Sequence, residues 1–320
     1  MADVTGQGQT YNLPNYVGEL YHLTPNDTPF LSMIGGINGG APTQSPDFTW
    51  QTVENVSASQ DTVHEGVDAT FGEQTRAPNS NVTQIHQEGV QITYTKQAAT
   101  DQLADSAFSG ISQDAAHLLG MQPVQDELSF QMQMKLEKVA RDVEYSFLQG
   151  AYNFPNDTTG SPRQTRGMIN AISSNTTVDA ATTDLSKDHI QELMRALADE
   201  GAPMRNMVVF ANAEQRQNLS EIYGYAPESR NMGGLSINQI ETDFSMLGVV
   251  YDRHMPTDEV FVLDVSMCRP RHLMIPGKGF LFSEPLAKSG SYEKYQLYGE
   301  IGLEYGPGNW HGRIQNLTTS

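Results

Sequence analysis

One cysteine, Cys268, occurs in 320 residues. It excludes an intrachain disulfide and a multi-cysteine metal centre. Its neighbours Met267, Arg269 and Pro270 form no nucleophile signature, so Cys268 reads as a small buried apolar residue. Positive charge is also scarce. No lysine or arginine precedes Arg76, and 38 Asp and Glu stand against 19 Lys and Arg, for a formal net charge of −19. A general grip on a phosphate backbone needs clustered cations, so this chain does not read as a nucleic-acid binder. Its copies repel one another, and any assembly must rest on geometry and apolar contact. No apolar run approaches the ~20 residues of a membrane span. The opening MADVTGQGQTYN lacks the basic and apolar regions of a signal peptide, which suggests a cytoplasm-like setting. GxGxxG, GxxxxGKS/T, HExxH and GxSxG are all missing. GGINGG and GPGNW are glycine-rich, but they follow no strand-to-helix arrangement and read as linker and turn.

The best-marked element is PVQDELSFQMQMKLEKVARDVEYSFLQG, Pro123 to Gly150. Pro123 suits a first helical position. Asp126 and Glu127 favour the positive end of the helix dipole. Leu128, Met132, Leu136, Val139, Val143 and Phe147 recur at steps of three or four, an apolar stripe. Gly150 is a stop. A helix of this length crosses a domain, so the rest of the chain is expected to be arranged along it.

Residues 1–45 read as an arm, with apolar clusters at Tyr16–Leu23 and Phe30–Ile34, one helical turn in TPNDTPFLSMIGG, and a flexible joint at GGINGGAP (35–42). The arm has too little apolar surface to fold alone and is expected to lie over another surface, its own or a neighbour's. FTWQTVENV (48–56) and GVQITYTKQ (89–97) alternate as strands. With the polar tract 59–81 as tip, they suggest one long hairpin that needs something to lie on. Residues 101–122 read as short helical pieces. Residues 179–265 predict an α/β unit. Its first helix is capped by Ser186, stapled by Leu185 and Ile190, faced by Ile190, Leu193, Met194 and Leu197, and ended at Gly201. A buried strand follows at 207–212, a helix at 213–224, a loop at 226–234, and strands at 237–244, 248–255 and 259–265. The tail adds alternating strands at 272–277, 295–306 and 311–317, expected to pair with a sheet that runs beside the long helix.

Candidate chemistry is thin. Asp252 and His254 would share a strand face, and read as a polar pair at a strand end more readily than as a dyad. Glu300 and Glu304 also share a face. Paired carboxylates can serve a hydrolase, but on an open strand of an acidic chain they read as a solvated face. Met132 and Met134 read as core fillers, and Met246, Met255, Met267 and Met274 as padding for the sheet. The basic groups Arg163/Arg166, Arg269/Arg271 and Lys135/Lys138/Arg141 read as salt-bridged faces. No catalytic, cofactor-binding or metal-binding residue is expected.

The order of parts, with the motifs PRQTRGMINAI (162–172), TDFSMLGVVYDRHMP (242–256) and EPLAKSGSYEKYQLYGEIGLEYGPGNWHGRI (284–314), resembles the major capsid proteins of tailed bacteriophages. The resemblance implies an α+β chain with the Hong Kong 97-like capsid fold. That fold has an N-terminal arm (1–45), an extended β-hairpin loop (46–100), a peripheral domain with a long spine helix (101–184, the helix at 123–150), an axial α/β domain (185–265) and return strands of the peripheral domain (266–320). It implies a virion subunit assembled in the bacterial host cytoplasm, as hexamers and pentamers, into an icosahedral shell around double-stranded DNA. Portal, scaffold or cement proteins are potential partners. DNA contact would be weak and non-specific, with no membrane and no cofactor. An encapsulin-like nanocompartment is the alternative, and a soluble carboxylate hydrolase the weaker one. Some relatives carry a long N-terminal scaffolding region. This chain reaches its hairpin within about fifty residues of Met1, so none is expected here. Some weld subunits through a hairpin lysine, yet no lysine occurs between residues 46 and 95. Purified particles should therefore run as single subunits on a denaturing gel. A ladder of linked subunits would contradict this.

Overall fold

The computed structural model describes residues 27–60, 62–69, 71–96, 127–155, 160–223, 229–232 and 235–319. The arm's Tyr16–Leu23 cluster, the pieces at 101–122, and Pro123 and Asp126 of the long helix lie outside them. The helices are α1 (Pro29–Met33), α2 (Glu127–Gln149), α3 (Met168–Ala171), α4 (Lys187–Asp199) and α5 (Ala213–Tyr223). The early strands are β1 (Ala41–Thr43), β2 (Asp47–Val53), β3 (Arg76–Val82), β4 (Gln84–Thr93), β5 (Thr177–Asp179), β6 (Met207–Ala211) and β7 (Ser229–Met232). The later ones are β8 (Leu235–Glu241), β9 (Met246–Tyr251), β10 (Val260–Asp264), β11 (Arg269–Leu273), β12 (Leu281–Pro285), β13 (Tyr292–Glu304) and β14 (Gly312–Gln315).

Among the described residues, 88–96, 127–138 and 283–297 form one compact unit, and 27–87, 139–282 and 298–319 the other. A seven-stranded sheet of order β5-β14-β10-β6-β9-β8-β7 organises the larger unit. Every residue of β6 and β10 is buried. Side chains alternate between faces along a strand, so both faces need apolar cover. On one face Val208, Phe210, Val250, Phe261 and Leu263 join Phe30, Leu31 and Ile34 of the arm and Val139, Val143, Phe147 and Leu148 of α2. Phe30 meets Phe210 edge-on, ring centroids 5.5 Å apart. On the other face Val209, Ala211, Val249, Val260 and Val262 meet Ile190, Leu193, Met194 and Leu197 of α4.

The sequence signals for α4 hold in detail. Ser186 Oγ accepts the His189 N–H at 3.3 Å, Leu185 and Ile190 are buried, and Gly201 takes a φ of +76° just past the helix. The long helix ends at Gln149 as expected. The glycine that follows is demanded by space, since a Cβ at Gly150 would lie 2.3 Å from Ser146 O and 2.6 Å from Thr165 O. Of the stripe, Val139, Val143 and Phe147 are buried, while Leu136 is exposed.

Four expectations are corrected. The first concerns the hairpin. β2 pairs not with the segment at 89–97 but with β3, from Asp47↔Val82 to Val53↔Arg76. RAPNSNV has one large apolar residue, so periodicity cannot mark it as a strand. The segment that does alternate, β4, pairs β13 in a five-stranded sheet that also holds β1, β11 and β12. Second, GGINGGAP is a turn of 3-10 helix followed by β1, which runs parallel to β11. Third, the loop at 226–234 contains β7, which pairs antiparallel with β8. Fourth, Met255 is buried as padding for the sheet, but Met246 and Met274 are exposed. The described part of the arm lies over its own chain, with Phe30 and Leu31 buried against Phe210 and the long helix. The last strand, β14, joins the seven-stranded sheet between β10 and β5, one face of which the long helix covers.

Leu193 has no exposed surface and presses on β14 so closely that a Cβ at Gly312 would lie 2.7 Å from its Cδ1. Leu193→Ala should destabilise the unassembled subunit by ~2–5 kcal/mol, read from urea unfolding.

Candidate assembly surface

The β2–β3 hairpin leaves the larger unit from a tightly built root. Alternation on β2 turns Phe48 and Trp50 inward. Trp50 Nε1 donates to Gly306 O at 2.9 Å, and its ring meets Tyr305 edge-on at 4.9 Å. Gly302 lets β13 approach, since a Cβ there would lie 2.7 Å from Val82 O and 2.8 Å from the Phe48 ring.

Asn81 is the polar centre of the root and is wholly buried. Its Nδ2 donates to Leu303 O at 2.7 Å and to Arg166 O at 3.1 Å. Its Oδ1 accepts from Val82 N at 2.9 Å and Arg166 N at 2.8 Å. One amide thus joins the hairpin, β13 and the segment before α3, and satisfies backbone groups that would otherwise be buried unpaired. Thr83 Oγ1 and Arg163 Nη2 both donate to Glu300 Oε2, at 3.3 and 2.9 Å, and Tyr298 OH donates to Oε1 at 2.6 Å. Burial, then the Glu300 bond, raises the Tyr298 hydroxyl to about 12.

Between Val53 and Arg76 the described residues are exposed. Phe71 is 95% exposed and Val56 77%, and Val63 and Val67 also face solvent. The segment 54–75 holds Glu54, Asp61, Glu65, Asp68 and Glu73 and no lysine or arginine. It is an apolar and anionic tip on a rooted ribbon. Large apolar side chains left in water on one segment mark a contact surface.

The residues that the sequence offered as candidates for chemistry take structural places. Glu300 and Glu304 are not a solvated face: both are buried and ion-paired. Glu304 holds Arg269 through two bonds, 3.0 and 2.7 Å, and bonds Arg271 Nε as well. Burial would raise its carboxyl, but the two guanidiniums outweigh that and hold it below the usual range. Arg163 and the Arg269/Arg271 pair therefore serve carboxylates of their own chain, and Arg166 bonds Tyr305 OH and lies over the Tyr152 ring. In the smaller unit Lys135 and Lys138 both reach Glu88. Asp252 and His254 are no strand pair, because β9 ends at Tyr251 and Asp252 Oδ1 accepts the His254 backbone N–H at 2.8 Å in a local turn. Cys268 is buried, and burial drives its thiol far up. Among the described residues no cluster of three or more His, Cys, Asp and Glu could hold a metal ion, and no helix is long and apolar enough to cross a membrane. Sequence reasoning missed Asn81, for which no periodic signal exists. It also missed Glu144, a buried carboxylate whose position between Val143 and Leu148 on the wide apolar face was the available sign.

A long helix, a two-faced α/β sheet and a rooted extended hairpin define a phage-capsid type of subunit. Solved structures share this fold. The capsid subunit of cyanophage A-1(L) superposes with a TM-score of 0.65 at 10% identity, covering 99% of this chain and 98% of that one. The capsid of a native GTA particle gives 0.61 at 11%, covering 100% and 99%. The holo-SrpI encapsulin complex of Synechococcus elongatus PCC 7942 gives 0.59 at 12%, covering 97% and 94%. No curated protein sequence matches the chain. The SU10 major capsid protein family matches residues 3–318, and the chain belongs to that family. It is a subunit of a homo-oligomeric capsid shell.

Asn81→Ala strips four partners from buried backbone groups. It should cost about 3 kcal/mol in the unassembled subunit, read by thermal or urea unfolding.

Proposed function

We propose that the chain assembles as hexamers and pentamers into an icosahedral head shell around double-stranded DNA, with the 54–75 tip as its main reach onto neighbouring copies. The observation that carries this is the contrast along the hairpin: a root locked by Trp50 and Asn81, and a tip whose Phe71 is almost wholly exposed. A rooted hairpin presents the tip's apolar side chains to neighbours, and their burial supplies the association energy that a net charge of −19 opposes. The same negative charge suits a container that must not hold its genome tightly, so DNA contact is weak and non-specific.

The role is structural rather than catalytic. The saturation of Glu300 and Glu304 by cations and the burial of Cys268 support this reading against the hydrolase alternative. The division proposed is arm 1–45, hairpin loop 46–100, peripheral domain 101–184 and 266–320, and axial domain 185–265, with β14 contributed to the axial sheet. Portal, scaffold or cement proteins would act on the outside of this scheme, and assembly would take place in the host cytoplasm.

Phe71→Ser should leave subunit stability within about 0.5 kcal/mol, because the side chain packs against nothing in its own chain, while shell yield by electron microscopy falls sharply. Unchanged shell yield would remove the tip from the assembly contact. Packaged enzyme instead of nucleic acid in purified shells would favour the nanocompartment.

A further inference from the structure

The least expected buried group is Glu144. Its carboxylate has no exposed surface, and it faces back across the core to the start of the described chain. Oε1 accepts the Phe30 N–H at 2.8 Å and Oε2 the Leu31 N–H at 2.7 Å. These are orphan donors of the first turn of α1, which no side chain of its own N-cap, Thr28, satisfies. Asp252, just past β9, is equally buried, and its carboxyl lies within hydrogen-bond reach of Glu144. Asp252 Oδ1 accepts the His254 N–H, but Oδ2 is buried with no N–H or O–H donor. Two ionised carboxylates cannot hydrogen-bond each other, and a buried acceptor left bare is costly. One proton between them satisfies both.

We propose that Glu144 and Asp252 share a proton and act as a proton-dependent latch, clamping the arm segment α1 to the long helix and to the end of β9. Loss of the proton places two negative charges in a dry site and loosens α1 from its seat over Phe210.

The electrostatic surroundings agree. Burial and then the facing Asp252 push the Glu144 carboxyl well above the usual range, although the two backbone N–H groups pull the other way. Burial also raises Asp252, opposed by its bonds to Glu144 and to the His254 N–H. The ionisable groups that face the pair are Asp27, ahead of α1, which adds negative charge, and His254, which relieves it. The His254 ring packs edge-on against Tyr145 of α2, centroids 6.4 Å apart. Arg141 and Asp142 stand within one turn of Glu144 on the helix, and Arg253 follows Asp252 in sequence. No basic side chain among the described residues hydrogen-bonds either carboxylate. The proton is thus the only cation that the pair holds.

The sign follows from linkage. Glu144 binds its proton more tightly folded than unfolded, so the latch is whole at mildly acidic pH and weakens as pH rises through the folded value. The test is amide hydrogen exchange on the full chain from mildly acidic to mildly alkaline pH, corrected for intrinsic chemistry. Phe30 and Leu31 should speed up by as much as about tenfold per pH unit beyond the intrinsic rise. Asp252→Asn keeps the volume, donates permanently to Glu144 and should abolish that excess while leaving α1 protected. The proposal is overturned if the wild-type excess is absent, or if it survives Asp252→Asn, as it would if His254 were its source. Should that variant fail to fold, the infrared carbonyl band of a protonated carboxyl in the wild type at neutral pH decides: its presence supports the shared proton, and its absence overturns it.

Discussion

Every residue of β6 and β10 is buried, and the rest of the larger unit exists to cover the two faces of the sheet they share. One cover is amphipathic and local: α4 lays Ile190, Leu193, Met194 and Leu197 on one side. The other is assembled from distant parts. The later turns of α2 and the short α1 supply it together, the two lying over a hundred residues apart in the chain. That cover is incomplete without α1, so the few residues Pro29–Met33 matter out of proportion to their number. Glu144 is the group that seats them.

Around this centre the polar groups divide by burial. Asn81, Glu300 and Glu304 are buried and fully partnered, and they stiffen the root from which the hairpin projects. Among the described residues of the tip beyond it, no side chain has such partners in its own chain. A rigid base with an unsatisfied apolar end is what a subunit needs when its neighbours complete it. The acidity of the chain fits the same picture: charge keeps subunits apart in solution, and contact must come from shape and apolar surface.

Much of this was legible in the residues. The stop of the long helix, the Ser186 cap, the α4 face and the buried strands at 207–211 and 260–264 all follow from local rules, because each depends on neighbours three or four positions away or on a run of apolar residues. Resemblance of the motifs led to the correct family. β3 was not legible, because RAPNSNV carries no period and becomes a strand only by pairing with β2. β7 was hidden for a related reason, since a hairpin partner made a strand of what read as a loop. Glu300 and Glu304 were misread as solvated because alternation says which residues share a face, not what covers it.

Composition and short-range spacing were enough to set the class of most elements, the net acidity of the chain and its single cysteine. Three other matters waited for the folded chain: which strand pairs with β2, that β14 crosses into the seven-stranded sheet, and that Glu144 and Asp252 meet in a dry core. Each of these joins residues well separated along the chain, and the energy of burying a charge depends on the neighbours that folding brings, which no local pattern records.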